Sequence, residues 1–97
     1  RNGMLFTENG TINIKNKKWE NDFSPIDETG KSFVDKEYTK AYLRHLIISG
    51  EHLGAQIASL HNLSFYINLM QKAREEIKND NFMNWKNAMI PKLNQRL

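Results

Sequence analysis

Ninety-seven residues without a single cysteine must be held together by burial and hydrogen bonding alone. No disulfide can close a loop, no thiolate can act as a nucleophile, and no cysteine-based metal site can organise the fold. That is a demanding condition for one small domain or a piece of a larger one. A chain of this length buries only about 60–65% of its unfolded surface, and hydrophobic residues make up 39% of it, slightly low for a self-sufficient globule. The net charge of +3 is a weak pointer to an anionic partner, since strongly basic nucleic-acid modules carry more charge gathered on one face. Arg1-Asn2-Gly3 opens the chain with no apolar h-region behind it, unlike a signal peptide. The longest apolar run, Leu46-Ile47-Ile48, is far too short to span a bilayer. A cytoplasmic protein without membrane contact is expected. With arginine rather than methionine at position 1, the chain reads as the tail of a longer protein.

The local patterns predict an α+β fold, mostly helical, with an N-terminal β-hairpin and about three helices in a single unit, residues 1–34 being hairpin and irregular and 35–97 helical. Met4-Leu5-Phe6-Thr7 and Thr11-Ile12-Asn13-Ile14-Lys15 flank Glu8-Asn9-Gly10. Asn-Gly supplies the positive φ values that a tight hairpin uses. Ile12 and Ile14 alternate with Asn13, which predicts one buried face. Such a ribbon is barely stable alone and must pack on something else. Residues 16–34 look irregular, with a turn at Asp27-Glu28-Thr29-Gly30. Asp35 is a plausible N-cap for a helix from Lys36 to Ser49, ended by Gly50. A second helix is expected from Glu51 to Lys78, with apolar stripes at Leu53, Ile57, Leu60, Ser64, Ile67 and at Leu63, Tyr66, Met70, Ala73, Ile77, so burial on more than one side. A last helix runs from Phe82 to Ile90 with Phe82, Trp85 and Met89 inward, ended or kinked by Pro91. Trp19, Phe23, Ile26, Phe33, Leu43, Leu46, Ile57 and Leu60 are the expected core.

Read without relatives, no residue demands catalysis. There is no Ser-His-Asp arrangement, no glycine-rich phosphate loop and no HExxH. His45, His52 and His61 are not at metal-ligand spacings with one another, and a lone histidine on a partly apolar helix is more often a packing residue than a ligand. Lys15, Lys17 and Lys18 beside Trp19 fit contact with an RNA backbone, but by themselves read better as a solvated ribbon end. Tyr38, Tyr42 and His45 recur at i, i+4, i+7 and make a stripe that suits either an interface or the edge of a core.

The blocks Arg1-Asn2-Gly3, Ile12-Asn13-Ile14, Phe23-Ser24-Pro25-Ile26-Asp27, Ala41-Tyr42-Leu43, His45-Leu46, Leu53-Gly54-Ala55 and His61-Asn62-Leu63, in this order and spacing, resemble the C-terminal part of bacterial tRNA-guanine transglycosylases, also called queuine tRNA-ribosyltransferases. The resemblance covers nearly the whole chain. It implies a (β/α)8 barrel enzyme of which this chain is the insert after the last strand plus the closing helix. It also implies a base exchange at the tRNA wobble position, guanine being replaced by a queuosine precursor such as preQ1. The aspartate nucleophile and the acid/base aspartate of that chemistry would lie upstream of residue 1, so no catalytic residue is expected here and the chain alone should be inert. Arg1, with Lys15, Lys17 and Lys18, becomes the candidate contact to the tRNA anticodon loop. Tyr38, Tyr42, His45 and Ile57 become the candidate surface of a homodimer formed through the first helix. In that family three cysteines in a C-x-C-x-x-C arrangement and a distant histidine bind zinc. The corresponding positions hold Gly30, Ser32, Asp35 and His61, so zinc is expected to be lost and no cofactor to remain. Asp35 is expected to accept a hydrogen bond from His61 in its place, with Phe33 and Val34 packing where the metal knuckle would sit.

Overall fold

Thr7 and Gly10 face each other across a two-residue turn and close β1 (Met4–Thr7) on β2 (Gly10–Asn13) as an antiparallel hairpin. The structure is a computed structural model that describes residues 3 to 97. The Thr7 hydroxyl donates to the Gly10 carbonyl at 2.7 Å, and the Asn9 N–H donates to that hydroxyl at 3.3 Å. Only Gly10 of the Asn-Gly pair takes a left-handed φ, +141°. Leu5, Ile12 and Ile14 turn inward while Asn13 is exposed, as strand alternation requires.

From the hairpin the chain passes through a single 3-10 turn, Lys17–Trp19, capped by the Asn16 side chain. Residues 22–27 then form a strap along residues 35–41. Ile26 N–H donates to Tyr38 O, Lys40 N–H to Ser24 O and Ala41 N–H to Asp22 O. This strap corrects the expectation of one helix from Lys36 to Ser49. There are two: α1 (Val34–Glu37) and α2 (Lys40–Ile48), parted at Tyr38, whose backbone is extended. In an unbroken helix the Tyr38 carbonyl would serve Tyr42 N–H. Here Ile26 takes the carbonyl, and the Thr39 hydroxyl takes the Tyr42 N–H at 3.1 Å. Thr39, not Asp35, is the N-cap of α2. Gly50, at φ +72°, ends the helix as expected.

α3 (His52–Lys78) is the long helix the pattern predicts, and α4 (Phe82–Leu93) follows a turn in which Asp80 has φ +56°. α4 runs through Pro91 instead of stopping before it. Near a C-terminus the ring removes only one donor, and the helix absorbs that loss. The chain then returns to the hairpin: Thr11 N–H donates to Gln95 O at 2.8 Å and Leu97 N–H to Thr11 O at 2.9 Å. A Cβ on Gly10 would lie 2.5 Å from Gln95 O, so that approach requires glycine.

The core is one cluster: Leu5, Ile12, Ile14, Ile26, Val34, Leu43, Leu46, Ile57 and Ala58, with Trp19, Tyr38 and Ile47 packed on its edge. Phe23 and Phe33, expected inside, are each 72% exposed, and Leu60 is 42% exposed. The strap sends the Ile26 side chain into the core and leaves the Phe23 ring outside. α3 is buried on one side only, at Gly54, Ile57, Ala58 and His61, with Glu76 near its far end. Leu63, Tyr66, Ile67, Met70 and Ile77 remain exposed, so the expected two-sided burial is absent among the described residues. The molecule is long, 46 × 22 × 22 Å, because α3 outruns the elements that cover it. Among the described residues no helix is long and apolar enough to cross a membrane.

Candidate functional site

β1 has β2 on one edge, and its other edge is met by two consecutive side chains of α3. Asn62 Oδ1 accepts from Phe6 N–H at 3.1 Å, and Asn62 Nδ2 donates to Met4 O at 2.9 Å. His61 Nε2 lies 2.8 Å from Phe6 O. A helix thus satisfies the strand's open edge as a third strand would. Asn62 is the residue that sequence reasoning left without a role. Its only signal was its place beside His61.

The other ring nitrogen of His61, Nδ1, is 2.5 Å from Asp35 Oδ1, and both side chains are almost completely buried. A carbonyl oxygen can only accept, so Nε2 carries a proton and Nδ1 is left to the Asp35 carboxyl. Asp35 Oδ2 accepts from Ser32 N–H at 3.1 Å. Asp27 comes close to this pair: one ligand-type atom each from Asp27, Asp35 and His61 lie within 4.8 Å of one another. The Asp27 carboxylate accepts from Thr29 N–H at 3.1 Å and from the Thr29 hydroxyl at 2.9 Å. The expected pairing of Asp35 with His61 is therefore present in the geometry. The expected packing of Phe33 is not, because its ring points to solvent, whereas Val34 is buried.

These residues do not fit structural zinc, which is held by four ligands in a tetrahedron. Gly30 offers no side chain, and a Cβ there would lie 1.9 Å from Asp35 Oδ2. Ser32 is used through its backbone N–H. Both nitrogens of His61 are engaged, and both oxygens of Asp35 have partners. Nor does the Asp–His pair offer a general base. A base needs a free nitrogen within reach of substrate, and the Phe6 carbonyl caps the one not facing Asp35. An open groove of about 480 Å³ runs beside this cluster, between the 27–35 segment, α3 and α4, with Phe65, Leu69, Trp85 and Met89 on its apolar side.

Of the expected RNA contacts, Arg1 lies outside the described residues. Lys15, Lys17 and Lys18 are all exposed at the end of the hairpin. Lys18 Nζ sits 4.9 Å from the centre of the Trp19 ring, and Lys40 Nζ sits 5.8 Å from it, within cation–π range. Of the expected dimer residues, Tyr38 and Tyr42 stack at 5.8 Å although they flank the helix break, and Tyr42 and His45 are exposed. Ile57 is 1% exposed and belongs to the core. It backs a second groove, about 520 Å³, walled by Phe33, Tyr38, Leu53 and Leu60, but presents no surface of its own.

A sequence model described as queuine tRNA-ribosyltransferase matches residues 1–95. The chain belongs to the queuine tRNA-ribosyltransferase family. It is 46% identical to the queuine tRNA-ribosyltransferase of Macrococcus caseolyticus over 86 residues, which is 89% of this chain and 23% of that protein. It is 45% identical to that of Treponema denticola over 97 residues, all of this chain and 26% of that protein. With the Bacillus subtilis protein the identity is 46% over 80 residues, 82% of this chain and 21% of the relative. The chain thus spans about a quarter of the length of the queuine tRNA-ribosyltransferases it matches.

Proposed function

We propose that this chain is the C-terminal subdomain of a tRNA-guanine transglycosylase and serves that enzyme as a platform for anticodon contact and dimerisation. The observation that carries the reading is the family match across residues 1–95 by a chain about a quarter as long as its relatives. The parent is read as a (β/α)8 barrel pentosyltransferase acting in the cytoplasm. Its upstream aspartate attacks the anomeric carbon of the wobble guanosine, the glycosidic bond breaks, and guanine leaves with a proton from a second aspartate. An incoming deazapurine, preQ1 in this reading, then gives its ring N–H proton back to that second aspartate and displaces the carboxylate. A covalent intermediate divides one hard displacement into two easier ones. Neither aspartate is assigned to Asp27 or Asp35, whose oxygens are tied to Thr29, Ser32 and His61.

Lys15, Lys17 and Lys18 provide an exposed cationic rim next to Trp19, which suits a phosphate backbone beside unstacked bases. Tyr38, Tyr42 and His45, with the groove walled by Phe33, Leu53 and Leu60, provide aromatic and apolar area for a second subunit. The chemical test uses tRNA carrying labelled guanine at the wobble position. The 97-residue chain is expected to release no guanine above a no-protein control, whereas a protein extended through the upstream barrel exchanges it. Release by the short chain overturns the assignment of roles. The binding test measures affinity of the extended protein for an anticodon stem–loop against salt. Replacing Lys15, Lys17 and Lys18 by alanine is expected to flatten the log–log slope by about 0.7 for each single-strand phosphate that is no longer neutralised. An unchanged slope would leave a dimerisation piece without RNA contact through these lysines.

A further inference from the structure

Gly30 does not adopt the left-handed φ values that call for glycine, yet it has no room for a side chain. A Cβ at this position would stand 1.9 Å from Asp35 Oδ2, 2.4 Å from Asp35 Cγ and 2.8 Å from Asp35 Cβ. Asp35 cannot easily withdraw. One carboxylate oxygen is held by His61 Nδ1 and the other by Ser32 N–H, and the residue is 1% exposed. His61 is held in turn by the Phe6 carbonyl of β1. The chain of contacts therefore runs from the 30–32 loop through Asp35 and His61 to the hairpin, linking three segments far apart in sequence.

We infer that Gly30, Asp35 and His61 form a metal-independent clasp in which the Asp35 carboxylate fills the space that a side chain at position 30 would occupy. Positions 30 and 35 are then coupled. A glycine with an aspartate closes the clasp through hydrogen bonds, and ligating side chains at both positions can close it around a metal, but a mixture of the two does neither. A lone cysteine at 30 collides with a carboxylate that has nowhere to go, because close-packed interiors do not yield by an ångström without cost. A zinc-held knuckle and this clasp are alternative fillings of one small volume. This differs from a metal site that is merely short of ligands, where position 30 would tolerate any small residue.

The test is thermal unfolding of the wild-type chain, Gly30→Ala, Asp35→Ala and the double variant, each with and without EDTA, together with metal analysis. Wild type is expected to carry no stoichiometric zinc and to keep its Tm in EDTA. Gly30→Ala is expected to lower Tm by about 5 °C or more, a shift of the size that a single disturbed packing interaction produces in a domain this small. On the Asp35→Ala background the same Gly30→Ala change should lower Tm by clearly less, because only the 2.8 Å approach to the Cβ of residue 35 remains, the non-additivity that contacting residues show. The triple variant Gly30→Cys, Ser32→Cys, Asp35→Cys is expected to take up one cobalt ion with thiolate charge-transfer bands, and Gly30→Cys alone is expected not to. If Gly30→Ala does not fold, folding of the double variant supports the coupling and its failure counts against it. Nitrogen NMR of wild-type His61 gives a readout free of mutation: Nε2 must carry a proton held by the Phe6 carbonyl. An unprotonated Nε2, additive Tm shifts, or one zinc per wild-type chain whose removal lowers Tm would overturn the clasp.

Discussion

A buried imidazole held on both sides stabilises only while both partners stay in place. Truncating it leaves the Asp35 carboxyl and the Phe6 carbonyl facing a void. His61→Ala is therefore expected to cost about 3–5 kcal/mol, the range for breaking a buried pair from one side, read as a fall in urea midpoint with unchanged slope. A loss below about 1 kcal/mol would mean that solvent replaces the ring without difficulty. At the surface Asp22 behaves differently. The Ser24 hydroxyl and then the Ser24 N–H bond its carboxylate, Lys40 stands nearby, and together they outweigh desolvation and hold it below its ordinary value of 3.8. Glu76 is lowered in the same sense, by Asn81 first and then Lys72. A carboxylate depressed in the folded state contributes stability that is complete above the unfolded value and drains away as pH falls through the folded one. The stability gap between wild type and Asp22→Asn should thus be constant at neutral pH and close as pH falls below 3.8. A gap that widens on acidification would contradict the assignment.

At the scale of elements, the strap of residues 22–27 decides the helices. By taking the Tyr38 carbonyl and offering the Asp22 and Ser24 carbonyls to Ala41 and Lys40, it stops α1 and starts α2. The break keeps Tyr38 close enough to stack on Tyr42 at 5.8 Å and leaves Tyr42 facing outward. If that stack is an anchor between subunits, Tyr42→Ala should weaken self-association of the extended protein by about 2 kcal/mol, the scale of an interface hot spot, with little change in Tm. Sedimentation equilibrium and a thermal melt on the same sample check this. A collapse in Tm with an unchanged dimer fraction would return Tyr42 to the core. His45 shares the exposed side and supplies a second position for the same comparison.

Across the whole molecule, stability is unevenly spread. The hairpin, the strap, α2 and the first three turns of α3 converge on one apolar cluster, while beyond His61 only Glu76 of α3 is buried. The C-terminal part of α3 and α4 carry Tyr66, Ile67, Met70, Ile77, Met83 and Ile90 on the outside. Amide exchange in the isolated chain should therefore be slowest between Gly54 and His61 and fastest in α4 and in α3 from Tyr66 onward, since segments with little apolar burial open most readily. Uniform protection along α3 would show that α4 covers it better than the static packing indicates. Protection gained over residues 66–77 in the extended protein would identify that face as one the remaining chain covers.

Much of this was written into local sequence. Ile12 and Ile14 alternating with Asn13, and the Asn9-Gly10 pair ahead of them, specified the hairpin, because a side-chain period of two can bury only one face. The length of α3 and the stop at Gly50 followed from apolar periodicity and a glycine able to take φ +72°. The family resemblance set Asp35 against His61, and their spacing in the structure is that of a hydrogen bond. Other features depended on groups distant in the chain. Thr39, a residue type that favours an N-cap, is a local hint of a helix start, but the break at Tyr38 depends on Ile26 N–H, from the strap that precedes α1. Nothing near Phe33 or Phe23 says that an aromatic ring will stand in solvent, because burial depends on which face the strap and the start of α1 present. The demand for glycine at position 10 comes from both its φ and the returning Gln95 carbonyl, and at position 30 from the packing of the Asp35 side chain against it. Sequence patterns fix what each segment prefers by itself, whereas contacts between segments decide which backbone groups remain free and how much space is left.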